Sequence, residues 1–340
     1  MNILILGGTA WLGRTVVELA LAHGHRVTCV ARGASGAVPG GARLVVADRA
    51  AANAFAELGG ACFDAVIDVS RQPGQVRRAV AALEPLVDRY VFVSTASVYV
   101  ASELPNQDES AERVAALQAD TMTSMAEYGQ AKVACEDAVL AGFGHARSVI
   151  ARAGLIGGPG DVSDRSGYWP LRFATSKNAG EPVLLPESTG LFTQLIDVRD
   201  LAAWLLHAAS GVAGVYNLLG PSTQLGTFFQ TASTVANFHG KTVNASAGWL
   251  QANGVEPWAG PKSMPLWIPM ASHAGFGKRS IQAALTNGLV MRPLAQTLAD
   301  TLAWELEREQ PSPRKAGISN ADHRELLALY AARANIGQTL

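Results

Sequence analysis

The chain opens on Asn2-Ile3-Leu4-Ile5-Leu6-Gly7-Gly8-Thr9-Ala10-Trp11-Leu12-Gly13, and the reading of this stretch decides the fold. Residues 2–6 form an apolar run of strand length that ends in glycines. After Gly13, Arg14-Thr15-Val16-Val17-Glu18-Leu19-Ala20-Leu21-Ala22 is apolar at helical spacing and stops at His23-Gly24. Strand, glycine turn and helix in this order are the setting in which a dinucleotide fingerprint works. Gly7 permits the tight turn. Gly8 or the small Ala10 lets the backbone approach a pyrophosphate, and Gly13 lets helix and strand pack closely. The helix N-terminus then offers free N–H groups and the positive end of its dipole to the phosphates. Thr9, Trp11, Leu12 and Arg14 complete the expected contacts on this side.

Outward from the turn, strand-like and helix-like segments alternate. Strands are expected at 2–6, 26–30, 43–46, 64–68, 89–94 and 147–151, and helices at 11–22, 51–58, 73–86, 109–124 and 127–142. That rhythm predicts an α/β chain built on a Rossmann-type, doubly wound parallel sheet. The glycine-rich loop 32–41 is expected to be mobile without a ligand. From about residue 155 the rhythm loosens, and the segments 157–170 and 247–277 are rich in Pro, Trp and Gly. Beyond Gln310-Pro311-Ser312-Pro313 a short helix is expected near 320–333.

Chemistry concentrates in Tyr128-Gly129-Gln130-Ala131-Lys132, about thirty residues after Val93-Ser94-Thr95-Ala96-Ser97. A Tyr and a Lys four apart lie on one helix face, one turn from each other. A nearby ammonium favours a phenolate over a phenol, which suits the tyrosine to exchange a proton with an alcohol or carbonyl. Such chemistry also needs a donor aimed at the oxygen on which charge develops, and Ser94, Thr95 and Ser97 all crowd the strand end.

With these motifs stand Ser94-Thr95-Ala96-Ser97-Val98-Tyr99, Arg152-Ala-Gly-Leu-Ile-Gly-Gly-Pro159-Gly160 and Ile196-Asp-Val-Arg-Asp200-Leu-Ala. Over residues 1 to 310 the chain resembles the extended short-chain dehydrogenases/reductases, in the NAD-dependent epimerase/dehydratase branch. The resemblance implies a dinucleotide-binding domain at 1–154 and 191–217 and a smaller α/β substrate lobe at 155–190 and 218–310, with 311–340 as a tail. It implies a catalytic Thr95, Tyr128 and Lys132, with Ser97 as the alternative hydroxyl. Lys132 would also hold the nicotinamide ribose, and Ser70 counts among the cofactor contacts. Two departures stand out: Ala10 replaces the usual middle glycine, and Ala96-Ser97 replaces the Asp-Glu pair of the family's dehydratases.

The end of the second strand selects between cofactors. An acid there accepts the ribose 2′-hydroxyl of NAD, whereas a guanidinium matches a 2′-phosphate. This chain has Cys29-Val30-Ala31-Arg32-Gly33, so NADP(H) is favoured and NAD(H) is the alternative. Asp48 resembles the acid that meets the adenine amine. Where nucleotide-sugar enzymes of the family carry a diphosphate-binding arginine, this chain reads Leu191-Phe192-Thr193-Gln194; Arg172 or Arg292 could substitute, but a non-nucleotide substrate gains weight. Tyr168, Trp169, Trp258 and Trp267 are candidates for the wall of a partly apolar substrate pocket.

The expected activity is a carbonyl reductase or alcohol dehydrogenase. A sugar epimerase of the same family and a non-catalytic dinucleotide sensor or RNA-associated relative are the alternatives. Composition narrows the partners. The 340 residues carry 27 Lys plus Arg against 28 Asp plus Glu, a net charge of −1 that gives no basis for binding nucleic acid or a membrane surface. At 49% hydrophobic and 16% charged residues, with mean hydropathy +0.15, the chain reads as a soluble cytoplasmic enzyme, monomeric or homodimeric. No run reaches membrane-spanning length. Neither the histidines nor Cys29, Cys62 and Cys135 show metal-ligand spacing, and the cysteines are expected as buried thiols.

Overall fold

A computed structural model of the chain describes residues 1–34, 36–269, 273–309 and 314–336. The central sheet contains β1 (Asn2–Leu6), β2 (Arg26–Ala31), β3 (Arg43–Val46), β4 (Phe63–Asp68), β5 (Val87–Thr95), β6 (Ser148–Ala153) and the strand Gly214–Leu218. All neighbours are parallel, in the order Gly214–Leu218, β6, β5, β4, β1, β2, β3. The chain runs outward one way from β1 and the other way from β4, so a crevice opens between their carboxyl ends, where open α/β sheets bind ligands.

Strand periodicity explains how this sheet is covered. In β1, Ile3 and Ile5 join one core with Val16, Val17 and Ala20 of α1 (Trp11–Ala22) and Leu201 and Leu205 of the helix Val198–Ala209. Leu4 and Leu6, one residue out of phase, join the opposite core. There they meet Val76 and Val80 of α2 (Pro73–Leu83) and Val139 of α3 (Tyr128–Arg147). A strand buried on both faces must be apolar at every position, which is why residues 3–6 read as a continuous run. Helix α3 breaks at Gly144, whose φ is +68°.

Two expected helices are absent. Residues 51–58 contain only a 3₁₀ turn at Ala56–Leu58. Residues 109–124 run as an extended, irregular segment, because their backbone is claimed by neighbours across the fold. Val114 N–H donates to Val98 O (2.8 Å), Leu117 N–H to Gln130 O (2.9 Å), and Glu112 O accepts from Val100 N–H (3.0 Å).

A second core gathers Trp169 and Phe173 of α4 (Tyr168–Ala179), Phe228 and Phe229 of the helix Leu225–Val235, and Leu298 of the helix Leu294–Glu307. The parallel strands Val183–Pro186 and Thr242–Ala245 flank it. The terminal helix Asn320–Ile336 docks here through His323 and Leu326, so the expected tail is built into the core rather than trailing from it. The linker prolines at 311 and 313 lie outside the described residues. Cys29 and Cys135 are buried, and burial pushes both thiols up to about 12; Cys62, by contrast, is exposed, on the turn before β4. Among the described residues no helix is long and apolar enough to cross a membrane, and no group of His, Cys, Asp and Glu is placed to hold a metal ion.

Candidate active site

The glycine turn has the cramped geometry its residues allow. Gly7 adopts φ +103°, and a Cβ there would stand 2.6 Å from Val69 Cγ2. A Cβ on Gly13 would collide with the carbonyl oxygen of Gly7, so helix and strand approach as only glycine permits. Gly8 packs on β2, where a Cβ would meet Cys29 Sγ at 2.6 Å. Ala10 is extended and gives no side-chain cap; its carbonyl accepts the first helical bond, from Arg14 N–H at 2.7 Å. The N–H groups of Trp11, Leu12 and Gly13 therefore lack intrahelical acceptors. Those residues line a cleft of about 270 Å³, whereas Thr9 is buried beside it. The cleft also takes in Val69, residues 93–95, Tyr128, Lys132, Ala153, Gly154 and Ile156. A tighter cavity of about 30 Å³ lies beside Asp197 and Asp200 and contains none of the expected site residues.

Within the cleft, Lys132 is only 3% exposed. Its ammonium donates to Ser70 O (2.5 Å) and Val93 O (2.7 Å), which offsets the desolvation of the charge. It lies 4.8 Å from the Phe92 ring centroid and 5.9 Å from that of Tyr128. Two of its three N–H donors are thus committed to backbone carbonyls. The half-buried Tyr128 is the first residue of α3, one turn from Lys132, and Gly129 lets that turn approach the Ser97 carbonyl closely.

The three hydroxyls separate by environment. Ser94 Oγ donates to Glu136 Oε1 at 2.5 Å and is spent. Thr95 lines the cleft, and its Oγ1 accepts from Ser97 N–H (3.1 Å), capping the turn at Ala96–Val98. Its own proton reaches Ser97 Oγ at a long 3.3 Å, a weak bond that a better acceptor would displace. Ser97 is exposed and outside the cleft lining.

Behind these residues stands a network that the sequence reading did not assign. Glu136, fully buried, accepts from Arg152 Nε (3.0 Å) and Nη2 (2.8 Å), from Arg113 Nη1 (3.0 Å) and from Ser94. Arg152 Nη1 also donates to Tyr99 Oη (2.8 Å), whose proton goes to Asn217 Oδ1 (2.7 Å). One signal was available: Tyr128, Lys132 and Glu136 are spaced by four and share a helix face. Ser70 belongs to a similar unit. Its hydroxyl donates to the buried Asp68, which also accepts from Tyr90 Oη (2.7 Å) and Arg49 Nη1 (3.0 Å). Ser70 thus serves the cleft by presenting its carbonyl to Lys132, with its side chain turned away.

At the far end of the crevice, Arg32 is exposed after β2 and has no hydrogen-bond or ion-pair partner among the described residues. Arg14 differs from expectation: it donates to Glu18 (2.9 Å) and to Ala37 O (3.1 Å), bracing the loop after β2. Asp48 is exposed past β3, where its carboxylate accepts from Ala50 N–H at 2.9 Å.

Three of the four aromatic candidates are core. Tyr168, Trp169 and Trp267 are each no more than 3% exposed and pack in the second core away from the cleft. Trp258 alone is half-buried, with the Arg165 guanidinium stacked 4.9 Å from its ring centroid. Gln194 stands where the family's diphosphate-binding arginine is expected. It is fully engaged, donating to Gly220 O (3.0 Å) and Arg279 O (2.9 Å) and accepting from Arg279 N–H (2.9 Å).

Several solved structures share this architecture. UDP-N-acetylglucosamine 4-epimerase from Bacillus cereus is 16% identical, with a TM-score of 0.63 over 92% of this chain and 98% of its own. The Bordetella bronchiseptica enzyme WbmH, solved with NAD+, is 17% identical, with a TM-score of 0.62 over 90% of this chain and 98% of its own. UDP-glucose 4-epimerase from Thermus thermophilus, solved with NAD, is 18% identical, with a TM-score of 0.59 over 91% of this chain and all of its own. At such identities the likeness speaks for the fold. No curated protein sequence matches the chain. The model of the NAD dependent epimerase/dehydratase family matches residues 3–218, which take in the glycine turn, the hydroxyl cluster and the Tyr128–Lys132 pair, and the chain belongs to that family.

Proposed function

We propose that the protein is an NAD(P)-dependent oxidoreductase acting on the carbonyl or secondary alcohol of a small, non-nucleotide substrate, with NADP(H) as the preferred cofactor. The observation that carries this reading is the sharing of one cleft by Thr95, Tyr128 and Lys132 with the uncapped N-terminus of α1. The cradle fits a dinucleotide: Gly7 and Gly13 leave room for backbone only, and the three residues whose N–H groups lack intrahelical acceptors line the cleft. In this reading the N–H groups of Trp11, Leu12 and Gly13 hold the pyrophosphate, and Lys132 gives its remaining N–H to a ribose hydroxyl. A bound nicotinamide supplies or accepts the hydride. Thr95 orients the substrate oxygen, and Tyr128 gives or takes its proton. Arg32, exposed and without a partner among the described residues, is the residue assigned to the 2′-phosphate.

The non-nucleotide substrate is supported by Gln194, whose amide is consumed by backbone groups and leaves no cation for a diphosphate there. Ala96 and Ser97 cannot act as acid and base, which argues against dehydration. A second reading, sugar epimerisation by the same hydride step run twice, draws on neighbours that are UDP-sugar 4-epimerases, one of them solved with NAD. Cofactor fluorescence separates the two. Net oxidation of NADPH by a carbonyl panel, lost by orders of magnitude in Tyr128→Phe with NADPH affinity intact, is the expected result. Undiminished turnover in that variant would refute the role of Tyr128, and turnover of a sugar nucleotide without net cofactor change would establish the epimerase.

A further inference from the structure

Arg165 is placed with unusual care for a residue that pairs with no carboxylate among the described residues. Its loop follows the short strand Leu155–Gly157 and touches the cleft wall at once, because Pro159 O accepts from Trp11 Nε1 at 2.8 Å. Two buried aspartates then fix its course. Asp161 accepts from Ser163 N–H (2.8 Å), Ser166 N–H (3.0 Å) and Ser166 Oγ (2.7 Å). Asp164 accepts from Lys315 N–H (2.8 Å) and Arg308 Nη2 (2.5 Å), and it holds φ at +63°. These bonds support the left-handed turn that projects Arg165.

The guanidinium meets Trp258, itself at φ +69°, an unusual conformation for a bulky residue. Trp258 is held by its N–H bond to Met264 O (3.2 Å) and by the edge-on ring of Phe276. Strained residues that the surroundings over-determine gather at ligand sites. Arg165 itself makes one hydrogen bond, Nε to Ser163 Oγ at 3.1 Å, and has no ion pair among the described residues. Burial pushes its guanidinium below the ordinary value, and the charges that oppose this are those of Asp161 and Tyr128. Arg165 and Trp258 stand outside the cleft lining itself, but their loop is fastened to it at Trp11, which lines the cleft together with Tyr128.

We propose that Arg165 is the receptor for an anionic group, a carboxylate or a phosphate, on the carbonyl or alcohol substrate that reacts beside Tyr128. Arg165 lies over the Trp258 ring and spends only its Nε on Ser163, which leaves its two Nη groups to match such oxygens in pairs. The proposal rests on the reading of the cleft as a hydride-transfer site and adds the charge of its substrate.

The test uses the full chain saturated with NADPH. Benzoate, phenyl phosphate and the neutral benzamide are titrated calorimetrically into wild type, Arg165→Gln and Arg165→Lys. In wild type one or both anions should bind at least about tenfold more tightly than benzamide, as a charge-assisted bond implies, and the anion that does so names the group. Arg165→Gln should abolish that preference while leaving benzamide and NADPH binding unchanged. Arg165→Lys, which keeps the charge and serves if the first variant does not fold, should show an intermediate preference. Equal binding of anion and amide in wild type, or an undiminished preference in either variant, overturns the proposal. So does a loss of NADPH affinity in Arg165→Gln, which would place Arg165 on the cofactor. Failure of wild type to bind NADPH would bring down the cleft reading itself, and normal NADPH binding without anion preference would bring down only this step.

Discussion

Acidification should lower the stability of the fold through His323, on the terminal helix Asn320–Ile336. This ring is fully buried, and its Nε2 accepts from Leu184 N–H of the strand Val183–Pro186 at 3.1 Å. The neutral ring therefore carries its proton on Nδ1, and protonating Nε2 would break the bond. Burial, with the positive charges of Arg172 and Arg324, lowers its pKa from 6.5 to about 4. The folded value lies below the unfolded one, so the unfolded chain takes up the proton first. Stability is full above pH 6.5, declines as the pH falls toward 4, and levels off below. The full shift corresponds to about 3 kcal/mol, and the loss between pH 7 and pH 5 is about 2 kcal/mol. The assay is urea denaturation at both pH values for wild type and for His323→Gln, whose amide can still accept from Leu184 N–H but does not titrate in this range. Subtracting the two pH dependences cancels the carboxylates that both proteins share. A difference near 2 kcal/mol is expected, and identical pH dependence in the two proteins would refute the reasoning.

Gly13→Ala drives a methyl group into the Gly7 carbonyl, so it should cost about 1–3 kcal/mol in urea denaturation and abolish dinucleotide binding in a fluorescence titration. Thr95→Ala should lower turnover by about 10²–10³, whereas Ser97→Ala, at an exposed position, should be mild; steady-state rates of the two variants measured side by side decide between the hydroxyls. Arg32→Asp should weaken NADPH relative to NADH, since a carboxylate repels the 2′-phosphate and accepts a ribose hydroxyl; tighter NADH than NADPH binding in the parent protein, by calorimetry, would contradict the assignment.

Legibility in the sequence followed the range of the forces involved. The opening strand, turn and helix were readable because their determinants are local: an apolar run, glycines where no Cβ fits, and a helical apolar stripe. The Tyr128–Lys132 pair was readable for the same reason, since helix spacing alone makes them neighbours. Residues 109–124 were misread as helix because their apolar spacing was outvoted by hydrogen bonds to Val98, Val100 and Gln130, which no local pattern reveals. Tyr168, Trp169 and Trp267 were misread as pocket walls because a tryptophan serves a core or a ligand equally well, and only packing decides. Glu136 was passed over although it continues the Tyr128–Lys132 stripe; its two arginine partners come from residues 113 and 152, brought together only by the folded sheet.

Trp11 ties the glycine turn to the loop that carries Arg165. It is the first residue of α1, with its backbone N–H among the free donors, while its indole holds Pro159 across 148 residues of sequence. A ligand seated on that N–H rests on the same residue that moors the loop leading to Arg165. Binding free energies at two sites joined in this way are reciprocal. If holding the loop changes the affinity for a ligand on that N–H, the ligand changes the hold on the loop by the same factor.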